Sequence, residues 1–265
     1  MILAFECEPA EVALCVPESV LELFELPVLF GPINRTVVYI LLAALVVIGL
    51  LYLAFRKPQV VPTKFGVAIE SIVRFVRDDI AIGVIGPGGE KYAPYLLSLF
   101  LFILVGNFFG LTPFINFPIG SRMAIPLFLA LLTWVIFLSA GIKKQGIAYF
   151  GHLLWPPGVP VALKPLIGVI EFISTILVRP FSLAVRLFAN LVAGHTMLAL
   201  LLGTAVVFWV NIGDIGIIKG GLVGTAWFVF GMAIFVLEML VLFLQAYIFT
   251  LLAAVYIESS LHPAH

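Results

Sequence analysis

Charged residues are scarce in this sequence, and their scarcity excludes most classes of soluble protein. Only 11% of the 265 residues are charged, 63% are hydrophobic, and the mean hydropathy is +1.23. A soluble domain carries about 25% charged residues. The composition therefore predicts a polytopic membrane protein in a lipid bilayer. A formal net charge of zero gives no indication of a nucleic-acid partner.

Residues 1–34 contain no lysine or arginine but six of the fourteen acidic residues. A cleavable signal peptide needs a basic region at its start, so its lack argues against such a peptide. Cysteine is equally rare, since Cys7 and Cys15 are the only two. Their spacing fits a disulfide and two free thiols equally well. We interpret 1–34 as an acidic exoplasmic segment.

The sequence contains several long apolar runs, and the first of them predicts a transmembrane helix. The region 35–57 predicts the first transmembrane helix, because Thr36 to Phe55 is uncharged and about 30 Å long as a helix, enough to cross a bilayer. Arg56 and Lys57 follow directly, and the positive-inside rule then places the N-terminus outside.

Residues 58–91 predict an amphipathic helix and a loop on the cytoplasmic face. From Pro62 to Ile80, apolar residues recur on one helical face and charged residues on the other. Such a helix lies on the membrane surface; a helix packed on other parts of the protein is the alternative. Gly86-Pro-Gly-Gly89 then breaks the chain.

Residues 92–142 predict a transmembrane hairpin, with spans at 92–112 and 123–140, and 143–164 predict a cytoplasmic loop with three lysines. Asn107 interrupts the first of these spans. We interpret it as an interhelical hydrogen-bonding residue in preference to a transport residue.

Residues 165–257 contain two apolar segments, 165–210 and 222–257, which would form helices of about 69 and 54 Å against a bilayer core of about 30 Å. Either each segment is broken, or the two form a long, steeply tilted hairpin. Pro180 favours a kink in the first. Residues 258–265 form a C-terminal tail.

Arg186 lies within the first long segment, and no acidic residue occurs within fourteen positions of it. Arginine stays protonated, and at a bilayer centre it costs about 2.5–3.5 kcal/mol on insertion scales, so it needs a partner. Ser182 and Asn190 lie four residues to either side and share its helical face. Glu171 roughly continues that face before the expected kink.

Polar residues also line one stripe of the second segment, at Glu238, Gln245 and Tyr256. If Arg186 lies level with Gln245 in an antiparallel pair, residue numbers at equal depth sum to about 431. His195 then falls within a turn of Glu238, and Thr175 falls opposite Tyr256. His195 otherwise lies about 180° from Arg186, so it needs either a helical bulge near Gly194 or this different neighbour.

Three motifs carry a family resemblance: Arg179-Pro-Phe-Ser-Leu-Ala-Val-Arg-Leu-Phe-Ala-Asn-Leu-Val-Ala-Gly-His195, Leu244-Gln-Ala-Tyr-Ile-Phe-Thr-Leu-Leu252 and Gly106-Asn-Phe-Phe-Gly-Leu-Thr-Pro113. The chain resembles subunit a of the F-type ATP synthase. The resemblance implies an all-α polytopic fold with an N-terminal transmembrane helix, a membrane-surface amphipathic helix, a transmembrane hairpin and a long tilted hairpin facing a rotor ring. The partners implied are a ring of small hairpin subunits with mid-membrane carboxylates, and peripheral-stalk subunits.

The function that the resemblance implies is proton translocation through two offset half-channels, separated by the arginine that Arg186 matches. Its partner is then a ring carboxylate on another chain. For the outer half-channel the expected residues are Asn190, His195 and Glu238, with Gln245 near Arg186. For the inner half-channel they are Glu171, Ser182 and Tyr256.

On its own such a subunit is expected to be no enzyme, with no catalytic residue, cofactor or metal. An ion-coupled secondary transporter is the alternative, although it usually shows repeated halves that this sequence lacks. The expected location is a bacterial plasma (inner) membrane, with the C-terminus in the cytoplasm, and the mitochondrial inner membrane is the alternative.

Overall fold

A computed structural model of the chain describes residues 28–30, 33–56, 63–112, 117–146, 148–154 and 163–262. Nearly all of these residues are helical. Five helical stretches are long and apolar enough to cross a membrane: Thr36–Phe55, Gly89–Leu111, Ala124–Gln145, Lys164–Val210 and Ile217–Leu261. The chain is therefore an all-α polytopic membrane protein, as its composition predicts. Cys7 and Cys15 lie outside the described residues, so the two alternatives for them, a disulfide and two free thiols, both stay open.

The helices follow one another along the chain with short connections. The α-helices are α1 Arg35–Phe55, α2 Lys64–Arg74, α3 Gly83–Ile85, α4 Ala93–Leu111, α5 Ala124–Gln145, α6 Ala148–Leu154, α7 Lys164–Ile173, α8 Arg179–Val210, α9 Ile212–Ile215 and α10 Ile217–Leu261. Phe75–Ile82 and Ser174–Val178 are π-helical, and Gly89–Tyr92 and Ile119–Ser121 form 3-10 turns. Two short strands, β1 Val28–Phe30 and β2 Ile33–Asn34, pair antiparallel.

The second long helix, α10, begins five residues before the predicted Leu222 and extends past Ile257 to Leu261. The glycines at its start allow this extension. A Cβ at Gly220 would meet the backbone and side chain of Ile212, so only glycine permits this approach. Gly216, with a φ of +94°, makes the turn between α9 and α10.

The two long segments are continuous helices, so of the two alternatives the one with broken segments does not hold. Helix α10 runs for 45 residues without interruption. The first segment runs from Lys164 to Val210 and contains the π-helical turn Ser174–Val178 before Pro180, while the predicted kink at Pro180 stays a prediction. Steep tilting of this hairpin remains a proposal.

The amphipathic helix predicted from Pro62 to Ile80 is present as α2, a π-helical turn and α3. Its second half packs on protein, because Val76 and Ile80 are buried and the ring of Phe75 lies 5.7 Å from that of Tyr247. Its first half leaves Phe65 exposed. The alternative interpretation, packing on other parts of the protein, therefore holds for the second half.

The chain divides into two compact units. The first comprises Met1–Ile40, Gly106–Ser121 and Ala189–Leu244, and the second comprises Leu41–Val105, Arg122–Phe188 and Gln245–His265. Each unit holds part of the predicted polar site, and the two parts are described separately below.

Within the first unit, α8 and α10 pack antiparallel through glycines. A Cβ at Gly231 would meet Leu202, and a Cβ at Gly224 would meet Trp209. The numbers in each facing pair sum to 433, close to the 431 expected from the polar residues. The predicted register therefore holds in this unit to within two residues.

Candidate functional site

His195, Glu238 and Asn107 converge on one small cavity in the first unit, which we call the polar cavity. Its volume is about 10 Å³, room for about one water molecule. The three side chains are 8%, 9% and 2% exposed, respectively. The remaining lining residues are Gly110, Leu111, Pro118, Leu191, Leu198 and Leu242. An imidazole and a carboxylate thus share an otherwise apolar enclosure.

Gly194 explains how Glu238 reaches this position. A Cβ at Gly194 would collide with both carboxylate oxygens of Glu238, so the acid lies directly against the glycine backbone. Helix α8 is regular α-helix through this residue, so the first of the two alternatives for His195, a helical bulge near Gly194, does not hold. The second alternative holds, because His195 lines the same cavity as Glu238 on α10.

In the proton path that the sequence resemblance implies, Gly194→Ala is expected to slow ATP-driven pumping at least about fivefold, because the new methyl group displaces the Glu238 carboxylate and overpacking costs about 1–3 kcal/mol. The measurement is acidification of inverted membrane vesicles at equal complex content. Gly49→Ala in α1 is the matched control, since nothing lies within 4 Å of a Cβ there.

Adding Glu238→Asp to Gly194→Ala should restore part of the pumping rate, because the shorter acid leaves room for the methyl group. Pumping by Gly194→Ala at the rate of the Gly49→Ala control would show that the close approach has no functional importance.

Asn107 reaches the polar cavity because the chain folds back tightly after α4. A Cβ at Gly110 would meet Pro118, which holds the returning segment against the helix end. The Asn107 Nδ2 atom is buried and has no hydrogen-bond partner in the described part of the chain. The predicted interhelical role of this residue stays a prediction. The residue lines the cavity that contains His195 and Glu238.

A second polar cluster, which we call the ion-pair cluster, lies in the second unit around Arg179. Its Nη2 donates to Glu171 Oε1 at 3.1 Å and its Nη1 donates to Ser259 Oγ at 3.1 Å. Its guanidinium carbon lies 5.4 Å from the centre of the Tyr256 ring, a distance typical of a cation–π contact. Two of the predicted inner residues, Glu171 and Tyr256, are thus brought together by Arg179, which was not among the predicted residues.

Arg179, one helical turn after Thr175, is the residue whose charged group contacts the Tyr256 ring, and the predicted pairing of Thr175 with Tyr256 stays a prediction. Thr175 is fully buried, and its carbonyl oxygen accepts a hydrogen bond from Trp134 Nε1 at 3.2 Å.

Arg186 lies on α8 in the second unit, is partly exposed, and forms no salt bridge with any residue in the described ranges. Ser182, one turn before it, is also partly exposed, and Asn190, one turn after it, is exposed. Gln245 is buried at 3% exposure in α10. A charged group open to the surface of an apolar helix can meet a group on another chain.

Sequence reasoning missed Arg179 and Trp134 as members of the site. Arg179 opens the motif around Arg186, with an acid eight residues before it, and eight residues of regular α-helix leave two side chains about 80° apart around the axis. Trp134 lies 41 residues before Thr175, so no local pattern joins them. The one signal in the sequence for this pairing is that an acid, Glu171, and a base, Arg179, lie on either side of a short uncharged segment just before Pro180.

Comparison with known proteins supports the resemblance in its motifs. The family model described as ATP synthase A chain matches residues 37–258. Among curated relatives, ATP synthase subunit a of Frankia alni is 41% identical over 237 residues, which cover 88% of this chain and 79% of the relative. The subunit a of Gluconacetobacter diazotrophicus is 38% identical, with 86% of this chain and 88% of the relative covered. The chain belongs to the ATP synthase subunit a family.

Proposed function

We propose that this chain is the proton-translocating stator subunit of the membrane sector of an F-type ATP synthase. The observation that carries the proposal is the convergence of His195 and Glu238, from α8 and α10, on one buried polar cavity. An ionisable pair inside a membrane segment is costly and marks a functional site by default. Proton transfer is the chemistry that this pair supports.

The pair acts as the relay of the outer half-channel. Imidazole can both take up and release a proton, and a carboxylate beside it exchanges that proton over a short distance. The cavity has room for about one water molecule, which can bridge the two groups, and the Asn107 amide can donate a hydrogen bond to that water. Asn190 and Gln245 continue the path toward Arg186.

Arg186 separates the two half-channels. Its guanidinium keeps its charge, so it cannot carry a proton from one side to the other. Its positive charge favours the ionised form of an opposing carboxylate, which promotes release of the proton from a ring subunit on the inner side. The partial exposure of Arg186, together with its lack of a salt bridge to the described residues, supports a partner on the ring.

Rotation follows from the cost of placing charge in lipid. A ring carboxylate that receives a proton from the outer half-channel is neutral, so its site can turn into the bilayer at far lower cost. An ionised carboxylate next to Arg186 cannot do so. Each proton that crosses gains about 2.3 kcal/mol per 100 mV, and the sum over several protons drives ATP synthesis elsewhere in the complex.

The ion-pair cluster belongs to the inner half-channel in this proposal. Glu171, Ser182 and Tyr256 are its polar residues, and the Glu171 side chain is 42% exposed. A carboxylate open to water at this point accepts the proton released beside Arg186 and passes it to the solvent.

The membrane arrangement proposed here has the N-terminus outside and the C-terminus in the cytoplasm of a bacterial cell. The five spans among the described residues support termini on opposite sides, and the basic residues Lys143 and Lys144 in the last turn of α5 favour the cytoplasm. Peripheral-stalk subunits hold the chain still while the ring turns.

The test is isolation of the native complex in a mild detergent through a tag on this chain. The expected result is copurification of many copies of a small two-helix protein with one acidic residue in its membrane segment. Isolation of the chain as a monomer that binds a small solute would contradict the proposal and favour a secondary transporter.

A further inference from the structure

The π-helical turn Ser174–Val178 lies between the two charged members of the ion-pair cluster. Eight residues of regular α-helix rotate by about 800°, which would leave Glu171 and Arg179 about 80° apart around the axis. A π-helical turn takes up one extra residue, so the pair is separated by the equivalent of seven residues and by about 20°. The observed bond of 3.1 Å between them follows from this insertion.

Pro180 leaves a defect in this turn. The Arg179 backbone N–H donates to the Ser174 carbonyl, five residues back. The next donor in the same pattern would be residue 180, which would donate to the Thr175 carbonyl, but proline has no N–H. Thr175 is fully buried, and a buried carbonyl without a hydrogen-bond partner is destabilising.

Trp134, on α5, fills this defect from outside the helix. Its indole Nε1 donates to the Thr175 carbonyl at 3.2 Å. The indole N–H can only donate, so it matches a carbonyl that the helix leaves open. The turn is therefore stabilised by a side chain 41 residues earlier in the chain.

Arg179 holds three groups of the cluster at once. One arm of its guanidinium pairs with Glu171, the other donates to Ser259 Oγ, and its plane lies near the Tyr256 ring. Ser259 in turn donates to the Tyr256 carbonyl at 3.0 Å. The rigid fork of arginine supports such multiple contacts, which a lysine ammonium does not reproduce.

We propose that Arg179 is a positioning residue for the inner proton path, oriented toward Glu171 by the π-helical turn that the Trp134 indole N–H stabilises. Arg179 orients the Glu171 carboxylate through their ion pair. Trp134 acts indirectly, because the π-helical turn that it stabilises keeps both charges on one face of the helix. This inference rests on the proposed function, because it assumes that Glu171 accepts protons.

A double-mutant cycle tests whether Arg179 acts through Glu171. Arg179→Gln and Glu171→Gln should each slow ATP-driven pumping at least about tenfold, or about 1.4 kcal/mol, at equal complex content. The double variant should be no slower than the slower single variant. Arg179→Lys should recover only part of the rate. Losses that multiply in the double variant would overturn the inference.

Trp134→Phe tests the turn, because phenylalanine keeps the ring but has no N–H. We expect about a fivefold loss of pumping, equivalent to about 1 kcal/mol for one hydrogen bond, and no further loss when Arg179→Gln is added. Trp209→Phe is the matched control, since Trp209 contacts Phe228 through its ring. Equal rates in the two tryptophan variants would overturn the role of Trp134.

A cryo-EM map of the Trp134→Phe complex separates this inference from the proposed function. We expect the Arg179 guanidinium to have left the Glu171 carboxylate in that map. An unchanged π-helical turn and ion pair would overturn the inference while leaving the proposed function intact. Pumping at the normal rate by Glu171→Gln alone would instead overturn the assignment of Glu171, and with it any role of Arg179 in the path.

Discussion

Replacing Arg186 with alanine is expected to abolish both ATP-driven proton pumping and ATP synthesis, while the complex still assembles. Arg186 is partly exposed and forms no salt bridge with the described residues, so its removal breaks no ion pair among them. Removing one partner of a desolvated ion pair costs about 3–5 kcal/mol, which exceeds a factor of about 100. Acidification of inverted vesicles measures pumping, and the yield of purified complex measures assembly.

The same variant should also leak protons, because no fixed positive charge then lies between the half-channels. Arg186→Lys should recover little, since a desolvated ammonium can lose its proton and lacks the planar fork of arginine. Arg74→Ala is the control, because Arg74 is 70% exposed and pairs only with Glu70 one turn away. Normal acidification by Arg186→Ala vesicles would refute the proposed role.

Exchanging His195 and Glu238 should preserve function better than changing either residue alone. His195→Glu places two carboxylates in a cavity of about 10 Å³, and Glu238→His places two imidazoles there. Each single variant should pump at least about tenfold more slowly, because two like groups in a small apolar enclosure cannot both carry charge. The double variant restores one acid and one imidazole to the same cavity, and should recover most of the rate.

A second exchange supplies the control for this experiment. Glu258 and His262 also form an acid–imidazole pair, at 3.9 Å, but their side chains are 37% and 51% exposed. Exposed pairs contribute little, so exchanging these two residues should leave pumping unchanged. An equal loss of pumping rate in the two single variants and in the double variant at 195 and 238 would contradict the proposal that these two residues act together as a relay.

The membrane-spanning helices were predictable because the length of an apolar run is a local property. All five spans occur where long, predominantly apolar stretches predict them, since crossing a core of about 30 Å takes about 20 such residues. The ends were less predictable. Helix α10 starts early because Gly220 packs against Ile212, and that contact depends on a neighbouring segment.

The polar cavity was predictable in part. The antiparallel register that joins His195 to Glu238 follows from matching polar residues on two helices of known length. The approach of Glu238 to the Gly194 backbone does not follow, because the absence of a Cβ is informative only when the opposite helix is in place. The position of Asn107 in this cavity does not follow either, because the other residues that line the cavity, such as Pro118 and Glu238, come from other segments of the chain.

By itself, the sequence determined the fold class, the five spans and the family. The lengths of apolar runs and motifs of consecutive residues can be read without knowing which residues contact one another. Only the tertiary structure decided how Glu171 pairs with Arg179. That pairing depends on one extra residue in a helical turn. The turn itself depends on Trp134, which donates a hydrogen bond to the Thr175 carbonyl because Pro180 has no N–H to do so. Hydrogen bonds between distant segments leave no periodic trace in a sequence, so the partner of a buried carbonyl is settled only when the helices pack.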